Sequence, residues 1–127
     1  MVVVKESIGL LLFAHGARDA RWAEPFQRLH EKVAQIHVGP VRLCFLELMA
    51  PSLAEAATTM IEAGCQKLVV LPIFFGRGGH IRRDLPALLD ELRLQHPNIT
   101  IECADAAGEN EGVLNALAAY CLQAASL

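Results

Sequence analysis

The stretch "KLVVLPIFF", residues 67–75, starts with one charged residue and continues as an almost unbroken run of aliphatic and aromatic side chains. Strands covered on both faces have this composition, because neither side of such a strand meets water. "IGLLLFA" (8–14) has the same character, and "VRLCFLE" (41–47) and "ITIECA" (99–104) are two further blocks of strand length. The pattern predicts four strands, with the first and third at the centre of a parallel sheet.

The stretches between and after these blocks have the spacing of amphipathic helices, with apolar residues three and four positions apart. Pro51 and Ser52 are start signals for the second helix, and Gly64 is a stop signal. The four apolar stripes are Trp22, Phe26, Leu29, Val33 and Ile36; Leu53, Ala57, Met60 and Ile61; Leu85, Leu88, Leu89 and Leu92; and Val113, Leu114, Leu117 and Cys121. We therefore expect residues 1–127 to form a single doubly wound α/β domain, with a four-stranded mostly parallel sheet flanked by helices on both faces.

Composition excludes several classes of function for this chain of 127 residues. A net charge of −3 provides no general basic field, so we expect no nucleic-acid binding. Mean hydropathy is +0.35, but no apolar run reaches the roughly 18 residues of a membrane span. "MVVVKESIGLLLFAHG" (1–16) lacks the charge order and the small-residue cleavage site of a signal peptide. We expect a cytoplasmic protein that does not enter a membrane.

The cysteines lie in apolar contexts and form no C-x-x-C pair; they are Cys44, Cys65, Cys103 and Cys121. This pattern predicts buried small hydrophobic residues rather than disulfides or a cysteine zinc site. An iron–sulfur cluster is not expected either, because closely spaced thiolates are absent from the sequence.

Two histidines follow strands and stand beside glycines. His15 ends the first strand, and His80 lies in "FFGRGGHIRRDLP" (74–86), just after the third. If the strand order is 2-1-3-4, both lie over the crevice where strand order reverses, which is where doubly wound sheets bind ligands. Glu47, at the end of the second strand, would flank them. We interpret His30 and His37 as solvated and His96 as a helix C-terminal residue. The glycines at 76, 78 and 79 indicate an unusual backbone conformation or the close approach of another group.

Three stretches, in order and covering nearly the whole chain, resemble the motifs of small CbiX-type sirohydrochlorin chelatases. They are "FAHGARDARW", "FLELMAPSLAEA" and "VLPIFFGRGGHIRRDLP". The resemblance implies an ATP-independent lyase that inserts a divalent metal, Co²⁺ or in relatives Fe²⁺ or Ni²⁺, into sirohydrochlorin on the way to cobalamin, siroheme or related cofactors. It also implies a homodimer, with His15 and His80 as the metal-handling pair. The metal is then a substrate, and no tightly bound cofactor is expected.

The sequence departs from the family pattern at Ala17, where serine is common, and at Ala20, where proline is common. "DAAGENEGV" (105–113) also lacks the turn with histidine and proline that many relatives have. The role of this loop therefore stays open.

The chemistry of metal insertion fits these residues independently. Two imidazoles and the nearby carboxylate of Glu47 can capture a divalent ion and release it again. A base must also accept two pyrrole protons, a role open to imidazole or Glu47. Arginines suit the many carboxylates of sirohydrochlorin, and glycines allow a flat ring to approach the backbone. The candidate substrate-binding residues are Arg18, Gly78, Gly79, Arg82 and Arg83, and the candidate apolar walls are Phe74, Phe75, Leu48 and Met49.

Two other functions compete with this interpretation. Histidine phosphatases need an arginine directly before the His-Gly pair, and this chain has Ala14 there. A phosphate-binding P-loop is excluded because no matching motif exists. A non-catalytic tetrapyrrole or metal carrier stays open, since it would keep His15 and His80 without needing turnover.

Overall fold

A computed structural model of the chain describes residues 7–76 and 78–126, with the backbone but not the side chain of His80. The strands are β1 (Ile8–Ala14), β2 (Val41–Phe45), β3 (Lys67–Pro72) and β4 (Thr100–Cys103). The α-helices are α1 (Glu24–Ile36), α2 (Leu53–Glu62), α3 (Gly79–Gln95) and α4 (Glu111–Ala125). Two short 3-10 helices, Ala20–Ala23 and Ala107–Glu109, precede α1 and α4.

The four strands form one parallel sheet in the order β2-β1-β3-β4, which confirms the predicted α/β architecture. Leu12 of β1 is paired with Leu43 of β2 on one side and with Leu71 of β3 on the other. Strand order reverses between β1 and β3, because the chain leaves β1 toward β2 and then returns past β1 to β3. The carboxyl ends of β1 and β3 are therefore neighbours.

The main hydrophobic core lies between the sheet and the helices α2 and α3. Leu11 and Phe13 of β1 are completely buried there, together with Leu68 of β3. A smaller cluster on the opposite face joins Ala14 and Phe45 to residues of the segment that leads into α1.

Local capping signals set the limits of α2, as the sequence predicted. The hydroxyl of Ser52 accepts a hydrogen bond from the Glu55 backbone N–H, and the Glu55 carboxylate accepts one from the Ser52 backbone N–H. This reciprocal pair satisfies two donors that the first turn of a helix leaves unpaired. At the other end, Gly64 has a φ of +106°, a conformation in which glycine avoids the strain of a side chain.

Two helices bury less of their apolar stripes than the spacing predicted. Ile36, the last member of the first stripe, is 85% exposed. The fourth stripe does form a helix, but no residue of α4 is buried. Periodicity indicates which side of a helix is apolar, whereas burial also requires a surface that covers it.

The prediction of solvated side chains at His30 and His37 is wrong. Nε2 of His30 lies 2.8 Å from the Val41 carbonyl oxygen, and Nε2 of His37 lies 2.7 Å from that of Ile8. These carbonyls lie at the amino ends of β2 and β1, where α1 approaches the sheet. His96 is the C-terminal cap of α3, as predicted.

The cysteine prediction holds for two of the four residues. Cys44 and Cys65 are buried free thiols, and burial raises the pKa of the Cys44 thiol to about 12. Cys103 is half-buried and Cys121, on α4, is exposed. Among the residues described, no helix is long and apolar enough to cross a membrane.

Candidate active site

His15 and Glu47 are brought together at the carboxyl ends of β1 and β2. His15 directly follows β1, and Glu47 lies two residues beyond β2. The backbone N–H groups of Leu46 and Glu47 donate to the carbonyls of Ala14 and His15, at 2.9 and 3.1 Å. These two backbone hydrogen bonds join the segment after β2 to the end of β1 and place the two side chains near each other.

Gly16 makes this close approach possible. Its φ is +98°, and a Cβ atom built on it would overlap the carbonyl oxygen of Glu47. No other residue type fits, because a side chain would be strained by the backbone conformation and would collide with the neighbouring segment. The glycine of the His-Gly pair is therefore required for the contact between the two loops.

The His15 and Glu47 side chains form a polar pair that is open to solvent. Nε2 of His15 lies 3.6 Å from Oε1 of Glu47, and Nδ1 lies 3.3 Å from the Gly16 carbonyl oxygen. The two side chains are 44% and 47% exposed, so a hydrated ion can reach them. Imidazole nitrogen and carboxylate oxygen are both ligands for divalent transition metals.

Leu48, next to Glu47, is a residue that sequence reasoning assigned only to an apolar wall. Its φ is +66°, a conformation that costs a non-glycine residue about 1–3 kcal/mol, and its side chain is 59% exposed. Met49, also assigned to the wall, instead packs against the small cluster below α1. No sequence signal distinguishes the two, because the distinction depends on the strained backbone at Leu48.

The β3–α3 connection lies beside this pair. The backbone N–H of Ile73, just past β3, donates to the Phe13 carbonyl at 2.8 Å. Gly78 is the N-cap of α3, so His80 is the second residue of that helix. The predicted contribution of the His80 side chain, and any role of Arg77, lie outside the described residues.

The glycines of this connection do not have the unusual backbone conformation that the sequence suggested. Gly76, Gly78 and Gly79 all lack a positive φ, and Gly78 has a φ of −71°. A Cβ atom at any of them would meet no atom within 4 Å among those described. The connection therefore has open space around its backbone, as approach by an external ring requires.

The remaining predicted residues divide between surface and core. Arg18 is exposed in the loop after β1, and Arg82 and Arg83 are exposed in the first turns of α3, where Nε of Arg83 donates to the Gly79 carbonyl at 3.3 Å. Phe75 is 71% exposed. Phe74 instead packs edge-on against Phe13 with a centroid distance of 5.7 Å, so its assignment to an apolar wall is wrong.

The loop after β4, left open by the sequence, supports the β3–α3 connection. The Gly108 N–H donates to the Phe74 carbonyl at 2.9 Å, and a Cβ atom on Gly108 would overlap the Phe75 carbonyl oxygen. Of the two glycines in "DAAGENEGV", Gly108 is the sequence signal for this close approach.

The described side chains do not form a closed metal site. With the His80 side chain outside the description, they include no group of three or more His, Cys, Asp or Glu residues that could hold a metal ion. His15 and Glu47 supply two possible donors at this edge of the sheet.

Comparison with known proteins identifies the family to which this arrangement belongs. The family model described as CbiX matches residues 9–124. The chain belongs to the CbiX family. The match includes both His15 and the whole of the β3–α3 connection.

Relatives similar to this chain are named sirohydrochlorin cobaltochelatase. One from Saccharolobus solfataricus is 33% identical over 112 residues, which cover 84% of this chain and 87% of the relative. Another, from Sulfolobus acidocaldarius, is 37% identical over 84 residues, or 66% of this chain and 68% of the relative.

Solved structures show the same fold. The CbiX protein from Marinobacter aquaeolei VT8 has a TM-score of 0.84 at 29% identity, over 94% of this chain and 98% of that one. The sirohydrochlorin chelatase SirB from Bacillus subtilis subspecies spizizenii, solved in complex with cobalt, has a TM-score of 0.74 at 21% identity. That match covers 83% of this chain and 45% of SirB, so the fold also occurs within a chain of more than twice the matched length.

Proposed function

We propose that this CbiX-family protein is a sirohydrochlorin chelatase that inserts a divalent metal, Co²⁺ in the first place and Fe²⁺ or Ni²⁺ as alternatives. The observation that carries the proposal is the His15–Glu47 pair, with Nε2 and Oε1 3.6 Å apart at the carboxyl ends of β1 and β2, beside the strand-order reversal between β1 and β3. The names of the Saccharolobus and Sulfolobus relatives support the same substrate class.

The tautomer of His15 determines which nitrogen meets the metal. When Nδ1 carries the proton, it can donate to the Gly16 carbonyl oxygen 3.3 Å away. Nε2 then presents its lone pair on the side of Glu47. A site of imidazole nitrogens and a nearby carboxylate, without a closed cage of thiolates, would hold a hydrated ion and release it to the four nitrogens of a macrocycle.

Insertion also requires a proton acceptor. Two pyrrole N–H bonds break while the metal bonds to the ring nitrogens, so two protons leave for each metal inserted. Nε2 of His15 and Oε1 of Glu47 are 3.6 Å apart, so one bridging water could pass a proton between them, and both side chains are open to the solvent that finally takes it. We assign His15 and His80 to metal handling and Glu47 to proton transfer.

The carboxylate-rich rim of the macrocycle would bind the surrounding arginines. Arg18, Arg82 and Arg83 are all exposed near the carboxyl ends of the strands. Gly78 and Gly79 leave the backbone open to the ring, and Leu48 and Phe75 offer apolar surface beside it. Guanidinium groups recognise carboxylates through paired hydrogen bonds, which fits an acidic substrate on a chain of net negative charge.

A direct test compares histidine variants in a turnover assay. Purified protein is mixed with sirohydrochlorin and Co²⁺, Fe²⁺ or Ni²⁺, and metallation is followed by absorption. We expect His15→Ala and His80→Ala to lose at least about 100-fold in rate, as typical for loss of a general acid–base or ligand group. His96→Ala is the matched control, because His96 caps α3 outside the predicted site. Near-wild-type rates in His15→Ala would contradict the mechanism.

The carrier hypothesis makes a different prediction in the same assay. A carrier would bind sirohydrochlorin or metal in a fixed ratio and would not accelerate insertion beyond one equivalent. Many turnovers per chain would exclude it.

The arginine assignment has its own test. An arginine bound to a carboxylate at the edge of the macrocycle makes the same contact in the ground state and in the transition state. The double change Arg82→Gln, Arg83→Gln should therefore raise KM more than it lowers kcat. Arg42→Gln is the control, since Arg42 is exposed on β2 at the opposite end of the strands. An unchanged KM would mean that another arginine, such as Arg18, binds the carboxylates of the macrocycle.

We further propose that the working unit is a cytoplasmic homodimer. One chain presents a half-exposed pair on one wall, whereas sirohydrochlorin is a broad ring with two faces. A second copy related by two-fold symmetry would supply the other wall. Sedimentation at the enzyme concentration of the assay tests this point, and a fully active monomer would contradict it.

A further inference from the structure

Leu48 is the central residue of a tight turn between Glu47 and Met49. Its φ is +66°, and the Met49 backbone N–H donates a hydrogen bond to the Glu47 carbonyl oxygen at 2.8 Å. A hydrogen bond between residues two positions apart, around a central residue of positive φ, is the mark of the rare and strained form of the γ-turn. Glycine relieves such strain and asparagine tolerates it, whereas leucine does neither.

The contacts around this turn hold it in its strained conformation. The Glu47 N–H donates to the His15 carbonyl at 3.1 Å, and the Glu47 carbonyl oxygen lies directly against Gly16. On the other side, the Phe45 N–H donates to the Pro51 carbonyl at 2.9 Å and closes the loop. A strained backbone persists only where the surrounding structure determines it from several directions, and residues of this kind concentrate at functional sites.

Packing within the chain does not account for a leucine at this position. Leu46 packs against the main hydrophobic core, and Met49 packs against the small cluster on the opposite face. Leu48 lies between them, is 59% exposed, and belongs to neither of these clusters of described residues. Because this side chain suits neither the backbone conformation nor the core, we expect it to contact another molecule.

The position of Leu48 indicates which molecule that is. Within residues 7–76 and 78–126, Leu48 and Phe75 are the two exposed large apolar residues on loops that leave the carboxyl ends of strands. Leu48 directly follows Glu47, whose Oε1 lies 3.6 Å from Nε2 of His15. An apolar side chain fixed beside a polar pair suits a ligand with an apolar face and a polar reacting centre.

We infer that Leu48 is a substrate-positioning residue, whose side chain contacts the face of the macrocycle and sets where the central nitrogens lie relative to the His15–Glu47 pair. The inference rests on the proposed function and adds that this contact acts on the insertion step, not on binding alone. The γ-turn supplies rigidity, because it fixes the backbone from which the side chain extends. Rigidity matters here, since a displacement of about 1 Å at reacting atoms can cost roughly 100-fold in rate.

Side-chain variants test the positioning role in the turnover assay with sirohydrochlorin and Co²⁺. Leu48→Ala removes the contact, so we expect kcat to fall at least about 10-fold and KM to change by less than about 3-fold. Leu48→Met restores an unbranched apolar side chain of similar reach and should keep at least about half of the wild-type kcat. Val38→Ala is the matched control, because Val38 is an exposed apolar residue near the amino end of β2. A wild-type kcat in Leu48→Ala, or a change in KM alone, would overturn the inference.

Urea unfolding tests whether the leucine is kept against the preference of the backbone. Leu48→Gly should have a folded-to-unfolded ratio about 5-fold or more above that of Leu48→Ala, because glycine relieves the positive φ. The order should reverse at Ala87, exposed in the middle of α3, where Ala87→Gly should be less stable than the wild type. Despite its greater stability, Leu48→Gly should lose at least as much kcat as Leu48→Ala.

The outcomes separate this inference from the proposed function. A wild-type protein that does not metallate sirohydrochlorin would overturn both. Turnover by the wild type together with full kcat in Leu48→Gly would overturn only the positioning role of the side chain. Equal stability of Leu48→Gly and Leu48→Ala would contradict the strained turn on which the inference depends, and that measurement uses no sirohydrochlorin.

Discussion

Replacing Gly16 by alanine should damage the candidate site more than the same change at any glycine whose surroundings are open. Gly16 and Gly64 both have positive φ, at +98° and +106°. They differ in their neighbours, because a Cβ atom on Gly16 would overlap the Glu47 carbonyl oxygen, whereas one on Gly64 would meet nothing within 4 Å. The pair therefore separates the cost of backbone strain from the cost of collision.

The expected magnitudes follow from these two contributions. A left-handed alanine costs about 1–2 kcal/mol, which is the whole expected loss for Gly64→Ala. At Gly16 the collision adds an overpacking cost of about 1–3 kcal/mol, because a backbone oxygen cannot rotate away as a side chain can. We therefore expect Gly16→Ala to lose about 2–5 kcal/mol of unfolding free energy.

Urea unfolding followed by circular dichroism measures both losses. In addition, the loops that carry His15 and Glu47 must move apart in Gly16→Ala, and displacements of about 1 Å can cost roughly 100-fold in rate. We expect the folded fraction of Gly16→Ala to lose chelatase activity while Gly64→Ala keeps it. Equal loss of stability in the two variants, or full activity in Gly16→Ala, would refute the argument that this glycine joins the two loops.

Three further experiments test the helix cap and the core. Ser52→Ala should cost about 1 kcal/mol in unfolding free energy, because it removes the side-chain acceptor at the start of α2; Thr58→Ala, in the middle of the same helix, is the comparison. Hydrogen bonds from Ser52 hold the pKa of Glu55 below its ordinary value. The Glu55 carboxylate therefore adds to the free energy of unfolding at pH values above its pKa in the unfolded chain. This stabilisation is lost as the pH falls through its lower pKa in the folded protein. The difference in unfolding free energy between wild type and Glu55→Gln should therefore shrink between pH 7 and pH 3. Cys44, completely buried and with a raised pKa, should resist iodoacetamide at pH 8 until the chain unfolds, and rapid labelling detected by mass spectrometry would contradict its placement in the core.

Local signals in the sequence were sufficient for the elements and their limits. The apolar run of β3, the stripe of α3 and the capping pair Ser52–Glu55 depend on residues a few positions apart, so periodicity and capping chemistry predict them. The positions of His15 and His80 after their strands were evident for the same reason. Their relation to Glu47 was predicted only on the condition of a 2-1-3-4 strand order, which the structure confirms.

Contacts between distant residues were decided by the tertiary structure. The bonds of His30 and His37 to strand carbonyls depend on how α1 approaches the sheet, and the outward turn of Leu48 depends on its positive φ. Sequence periodicity showed that α4 has an apolar side, but only the structure showed that no residue of this helix is buried. The sequence by itself therefore determined the elements, their order and the chemistry available at the strand ends. Only the tertiary structure decided which side chains meet, because those contacts depend on strand register, loop conformation and the direction in which each helix leaves the sheet.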